Sequence, residues 1–308
     1  MKLVVFNVKS GLSVYLEFSS KKILYDIGSS EDFCPAIDFL LPLYKKRNAA
    51  KNTKHNKFAM DQIIISHPHD DHISSIKNYY KHFYPTLLTT PNDNDGLPDK
   101  AKVNWELIKN RKTEYVKYLR EEVLPGRIPP LRSSDYHLDI FYIPAKDCEK
   151  SSDLKKENYG NNLTITVYIQ FNGHKILFMG DLMKDGSSYL INKNSKFYNS
   201  LQNGVDFLIT PHHGLRSSFP VDLFSAMKNG KTKRLNIVSE KPSSDESRNV
   251  DGRYSDPDYC GGINNLSSSD KPVYQRKTSN GHIYIDCRQH EPDIKLIRNN
   301  DELIKEFL

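Results

Sequence analysis

Apolar and polar residues alternate in short bursts through the first third of the chain. KLVVFNV (2–8), LSVYLEF (12–18) and KKILYDI (21–27) each read as a strand, separated by Ser-Gly and Ser-Ser-Lys turns. Asp26-Ile27-Gly28-Ser29 closes the third of them into a turn. EDFCPAIDFLLPLYKK (31–46) places its apolar residues at helical spacing, with Pro35 and Pro42 limiting the helix. DQIIIS (61–66) is a continuous apolar run, as expected of a strand buried on both faces, and ISSIKNYYKHF (73–83) returns to helical spacing.

Further along, PNDNDGLPD carries turn chemistry and KAKVNWELIKNRKTEYVKYLREEV (100–123) has the pattern of a basic amphipathic helix. LPGRIPPLRSSD breaks that helix, so residues 92–135 read as an insertion. YHLDIFYIP (136–144) reads as a strand, followed by a polar loop at 145–160. NLTITVYIQFNGHKILFMGDL (162–182) predicts a hairpin about Asn172-Gly173. VDFLITPHHG (205–214), LNIVSE (235–240) and GHIYIDC (281–287) supply more strands, and DELIKEFL (301–308) a terminal helix. Strands and helices interleave throughout, so the expectation is one α/β domain with insertions over 1–308.

Composition narrows the function classes. No stretch approaches the roughly 18–20 apolar residues of a membrane span, and the opening LVVF is too short for an export signal. Cys34, Cys148, Cys260 and Cys287 lie far apart with no CxxC pair, which suits reduced thiols; a cytoplasmic protein without membrane partners is the expectation. The net charge of +6 is uneven. The segment 44–58, read as a loop, carries Lys and Arg but no acid, so it is either a solvated face or a phosphate-contacting one.

The polar residues that matter most follow the apolar runs. SHPHDDH (66–72) places His67 and His69 two apart, so both rings leave an extended segment on one side. Pro68 stiffens the step between them. The chain then turns into a helix with Asp71 and His72 adjacent at its start. His67 and His69 thus suit one metal ion and Asp71 and His72 a second. Imidazole and carboxylate are ligands for zinc or manganese, with iron also admitted. Gly180-Asp181 ends the strand ILFMGD, and His212-His213-Gly214 ends DFLITPHHG. Three buried strands therefore deliver metal-type ligands at their C-terminal ends, where α/β sheets place their sites.

His67-Pro68-His69-Asp70-Asp71-His72, with Asp181 and the His212-His213 pair, resembles the ligand pattern of the metallo-β-lactamase-fold hydrolase superfamily. The resemblance implies an αββα sandwich, two divalent metal ions and hydrolysis by a metal-bound hydroxide, with Asp181 bridging the ions. Asp71 and Asp181 are then the catalytic carboxylates, and Asp26 and Asn162 are expected behind the ligands, Asp70 with less weight. The nearest likeness within the superfamily is to the hydrolase domain of the DNA-uptake competence channel protein. It is carried by Asp26, Gly28 and Ser29, by Asn161-Asn162, by Gly180-Asp181-Leu182, and by the late Thr278, Gly281 and Ile283. The chain departs from most binuclear members of the superfamily, which place a further histidine between the HxHxDH and the bridging aspartate: at the start of the hairpin it has only Asn161 and Asn162. An Asn carbonyl, a water or the second histidine of PHHG is left to complete the first metal, and the sequence does not decide between His212 and His213.

Substrate expectations rest on Arg216, Ser217 and Ser218, which follow the histidine pair and suit a phosphate, and on the basic segments. They point to a phosphodiesterase or nuclease acting on DNA or RNA, with Trp105, Tyr115 and Tyr118 as possible stacking platforms. The alternatives are a hydrolase of a small substrate (cyclic nucleotide, lactone or thioester) and a nucleic-acid-binding effector subunit working with partner proteins of a defence or DNA-processing assembly.

Overall fold

The strands that the alternation predicts form, and most are buried on both faces. A computed structural model describes residues 1–67, 69–91, 135–156, 159–227, 235–240, 249–264, 266 and 271–308. The strands run β1 (Lys2–Val5), β2 (Ser13–Glu17), β3 (Lys22–Ile27), β4 (Lys51–Asn52), β5 (Lys57–Ile64) and β6 (Phe83–Thr89). They continue as β7 (His137–Phe141), β8 (Thr166–Phe171), β9 (His174–Phe178), β10 (Phe207–Ile209), β11 (Leu235–Val238), β12 (Gln275–Lys277), β13 (His282–Asp286) and β14 (Asp293–Ile297). Pro68 and residues 92–134, which hold nearly all of the insertion expected at 92–135 and the basic helix expected in it, with Trp105, Tyr115 and Tyr118, lie outside the described residues.

The backbone divides into two compact units, one holding residues 1–129 with 280–288 and 292–308, the other 130–279 with 289–291. The first is built on the sheet β14-β13-β1-β2-β3-β5-β4, with β6 paired to β5. Its strands are antiparallel except at β3, β5 and β6, which run parallel. The parallel set aims the C-terminal end of β5 at the histidine-rich segment. A π turn at Pro35–Leu40, α1 (Leu41–Lys46) and the terminal helix Asn300–Phe307 share one core with this sheet. Phe39 packs edge-on against Phe6, Tyr15 and Phe307, all fully or almost fully buried. After β5 come two short helices, α2 (Asp70–Ile73) and α3 (Ile76–His82).

The second unit is the sheet β12-β11-β10-β9-β8-β7. Strands β9 to β12 are parallel neighbours, and β7, β8 and β9 form antiparallel pairs. The β8–β9 hairpin closes through Asn172 and Gly173, both at positive φ (48° and 81°), as a two-residue turn requires.

Two expectations change. Residues 44–58 are not a loop: they hold the end of α1, a turn and the β4–β5 pair, with Tyr44 and Phe58 buried. Residues 145–160 are also not an open loop but short helices at Ala145–Lys150, Ser152–Lys156 and Tyr159–Asn162, pinned by buried Cys148 and Leu154. Ala145 and Cys148 in the first and Leu154 in the second are too sparse a pattern to read as a helix. The cysteines are free thiols, and no helix among the described residues is long and apolar enough to cross a membrane.

Candidate functional site

In the first unit, the segment after β5 gathers the four predicted ligands. The His67 ring centroid lies 4.4 Å from that of His69 and 4.3 Å from that of His72. His67 and His69 bring ligand atoms within 4.8 Å of each other, and so do Asp71 and His72. Asp70, by contrast, is exposed at the first position of α2.

Behind these ligands stands Asp26, fully buried and at a left-handed φ of 59°. Its carboxylate accepts from the Ser66 backbone N–H (2.6 Å), the Ser66 hydroxyl (2.7 Å) and His72 Nδ1 (2.7 Å). Because the Ser66 proton goes to Asp26, its oxygen is left to accept from His67 Nδ1 at 3.0 Å. Both rings therefore carry their proton on Nδ1 and present the Nε2 lone pair. Burial pushes the Asp26 carboxyl up from its ordinary value, opposed by His72 and Ser66. Two close approaches hold Asp71 in place: a Cβ on Gly11 or on Gly28 would overlap the Asp71 carbonyl oxygen.

The second unit repeats the arrangement on adjacent parallel strands. Asp181 follows β9, and His212 and His213 follow β10. The His212 backbone N–H donates to Gly180 O at 2.8 Å, tying the two strand ends together. His212 and His213 are both left-handed (φ 45° and 58°), a conformation costing about 1–3 kcal/mol per residue that such sites tolerate. It turns both Nε2 atoms toward one oxygen of the buried Asp181, at 3.8 and 3.7 Å. Each Nδ1 is held: His212 by the buried Ser218 hydroxyl (2.8 Å) and His213 by the Ser239 carbonyl (3.1 Å). The geometry thus presents both histidines rather than selecting one.

The remaining predicted residues separate. Ser218 is fully buried under His212, so it orients the imidazole and does not face substrate. Arg216 and Ser217 are exposed. Arg216 lines a cleft of about 710 Å³ with Asn249, Asp251, Arg253 and Asp256. Burial works to raise the Asp251 carboxyl, but the bonds and charge of Arg253, with the charge of Arg216, hold it below its ordinary value. Asn162 turns away from the ligands: its amide donates to Leu154 O at 2.8 Å and its oxygen sits against Gly186. Its neighbour Asn161 is the one beside His212, with Nδ2 3.5 Å from Nε2. Thr278 accepts from the Glu240 N–H just past β11.

Sequence reasoning did not single out Ser66, Ser239 or Gly11. Ser66 is signalled only by preceding the first histidine. Ser239 is signalled by ending the strand parallel to the one that carries His213.

The donor set fits divalent metal. Four imidazoles have Nδ1 fixed by an oxygen, which is how metal-ligating histidines are oriented, and the carboxylates of Asp71 and Asp181 lie 3.7–3.8 Å from Nε2 of neighbouring histidines.

Comparison with known proteins agrees. The family model of the metallo-beta-lactamase superfamily matches residues 7–223, so the chain belongs to that superfamily of metal-dependent hydrolases. Among curated proteins no relative matches. Solved structures similar to it include the metallo-beta-lactamase fold protein YhfI from Bacillus subtilis, at 13% identity over 80% of this chain and 90% of that one, TM-score 0.40. Igni18, a metallo hydrolase from the archaeon Ignicoccus hospitalis, is 9% identical over 82% and 87%, TM-score 0.36. The short form of human tRNase Z is 14% identical over 68% and 77%, TM-score 0.29. At these identities and scores the likenesses extend to no substrate.

Proposed function

We propose that this hydrolase is a phosphodiesterase acting on DNA or RNA, with His67, His69, Asp71 and His72 in the first unit and Asp181, His212 and His213 in the second as the residues that hold its divalent cations. When bound, such cations supply an activated water and offset negative charge on the oxygens of the bond being cut. Asp26 and Ser66 hold the His72 and His67 rings with Nε2 presented, and Ser218 does the same for His212. The observation that carries the substrate choice is Arg216. It is an exposed guanidinium, without a carboxylate ion-pair partner among the described residues, two positions beyond the left-handed His212-His213-Gly214 turn. A planar fork of donors there suits a phosphodiester oxygen, and the cation excess of the chain points the same way. Neighbouring Arg253 is committed to Asp251 and to the face of Phe219, 3.8 Å away, so Arg216 is the cation left for substrate.

The test is a panel of labelled single- and double-stranded DNA, RNA and bis-p-nitrophenyl phosphate, run on zinc- or manganese-loaded protein beside Asp181→Ala and Arg216→Ala. Phosphodiester turnover that disappears in Asp181→Ala, with KM raised in Arg216→Ala, supports the reading. Turnover of a lactone or thioester alone rejects it, as does nucleic-acid binding with no turnover of any substrate.

A further inference from the structure

The first unit carries a second cluster of chemistry at the other end of β5. Strand β5 has eight residues rising about 3.3 Å each, so its ends are roughly 23 Å apart. Its C-terminal end leads to His67 and His69. At its N-terminal end, the β4–β5 turn, the end of α1 and the junction of α3 with β6 bring basic and aromatic side chains together.

Lys45, Lys51, Lys54 and Lys81 are all exposed there, and among the described residues none forms an ion pair. The nearby carboxylates are taken up elsewhere: Asp61 by Lys21, Glu17 by Arg47 and Asp301 by Lys46. The positive field is felt by a neighbour. The His82 imidazole is held below its ordinary value by burial, and then by Lys81, Lys45 and Lys51. Rings are interleaved with these charges. His55 lies flat on Tyr84 with centroids 3.9 Å apart and planes 10° from parallel, and Lys57 Nζ stands 4.0 Å over Tyr80. All three rings are half-buried. The Asn52 side chain fixes the turn by accepting from the Lys54 and His55 backbone N–H groups.

From these observations we propose that the β4–β5 turn, Lys45, Lys81 and the His55–Tyr84 pair form a docking surface for single-stranded nucleic acid, separate from the ligand residues at the far end of β5. Four cations without acids match a polyanion. Half-exposed flat rings set among them match unpaired bases, which stack on any π-face. An anionic lipid surface is less well matched, because none of the large apolar side chains exposed among the described residues (Tyr198, Val221, Leu296, Leu308) belongs to α1, the β4–β5 turn, α3 or β6. The inference deepens the phosphodiesterase reading, since a strand held here extends a long substrate's grip beyond the reacting bond.

The experiment measures fluorescence anisotropy of labelled oligothymidylate with the full chain in EDTA, so that binding is read without turnover, over a salt series. The triple variant Lys51→Ala/Lys54→Ala/Lys81→Ala is expected to bind more than tenfold more weakly at low salt. Its slope of log affinity against log salt should be shallower by about 2, at roughly 0.7 per lost single-strand contact. His55→Ala should lose about tenfold with the slope unchanged, because a stacking contact releases no counterion. Hydrolysis of bis-p-nitrophenyl phosphate, where found, should be unaltered in all of them. A triple variant with the parent's slope and affinity overturns the proposal. So does a wild-type chain that binds phosphatidylserine vesicles and no oligonucleotide. If no phosphodiester is cut but the slope falls as predicted, the phosphodiesterase reading fails and the docking surface stands.

Discussion

Asp26 Oδ2 lies 2.7 Å from Nδ1 of His72, and both side chains are wholly buried. A carboxylate placed this way fixes the imidazole's tautomer and its direction at once. Replacing it by the carboxamide of asparagine keeps the volume and removes the charge. The prediction is that Asp26→Asn lowers divalent-metal affinity by about 10–100-fold while the far-ultraviolet circular dichroism is kept. Competition with a chromophoric chelator measures it; unchanged affinity would mean that the pair is only a packing contact.

Gly28 makes a purely steric prediction. An added methyl would overlap the Asp71 carbonyl oxygen and come within 2.7 Å of Leu12 O, both backbone atoms that cannot step aside. Gly28→Ala should therefore cost about 1–3 kcal/mol in urea unfolding and weaken metal binding through Asp71. Gly173→Ala is the control, since nothing lies within 4 Å of that position and only its turn conformation resists.

Ser218 and Ser239 hold neighbouring histidines by different means, one with a hydroxyl and one with a backbone carbonyl. Ser218→Ala should loosen His212 and reduce metal affinity by about tenfold. Ser239→Ala keeps the carbonyl and should change affinity little. Equal losses in the two variants would contradict the assignment.

His282 predicts a pH dependence of stability. Its Nδ1 accepts from the Asn7 backbone N–H at 3.0 Å, its Nε2 faces Asn300 Oδ1 at 3.3 Å, and burial lowers its pKa to about 4. Between that value and the ordinary 6.5, the unfolded chain binds the proton and the folded chain does not. Stability is then complete above about pH 6.5 and declines as pH falls toward 4, by roughly 3 kcal/mol at most. Urea midpoints taken across that range should fall more steeply for wild type than for His282→Asn.

What the sequence made legible follows from where burial is regular. The strand DQIIIS and the hairpin about Asn172-Gly173 were predicted within a few residues because apolar runs and turn chemistry agree there. Strand β6 was missed because Pro85 interrupts it; the proline is tolerated opposite Met60, where β6 pairs among the described residues only with β5. Strand β12, Gln-Arg-Lys, has no apolar residue to announce it. The candidate ligands were legible because imidazole and carboxylate recur at strand ends, and Asp26 was legible behind them from its turn. The other supports were not: a serine hydroxyl (Ser66, Ser218), a backbone carbonyl (Ser239) or a close glycine (Gly11) acts through position, and sequence alone carries no distance. The turning away of Asn162 in favour of Asn161 was hidden for the same reason.

The central claim is that the proposed sets His67–His69–Asp71–His72 and Asp181–His212–His213 hold divalent metal. Elemental analysis of protein loaded with excess zinc or manganese and then desalted tests it most directly, beside His67→Ala/His69→Ala and Asp181→Ala. The account predicts about two ions per wild-type chain and a clear deficit in each variant, because each set is needed. A wild-type chain that leaves the column without metal, or variants that keep the full complement, would contradict it.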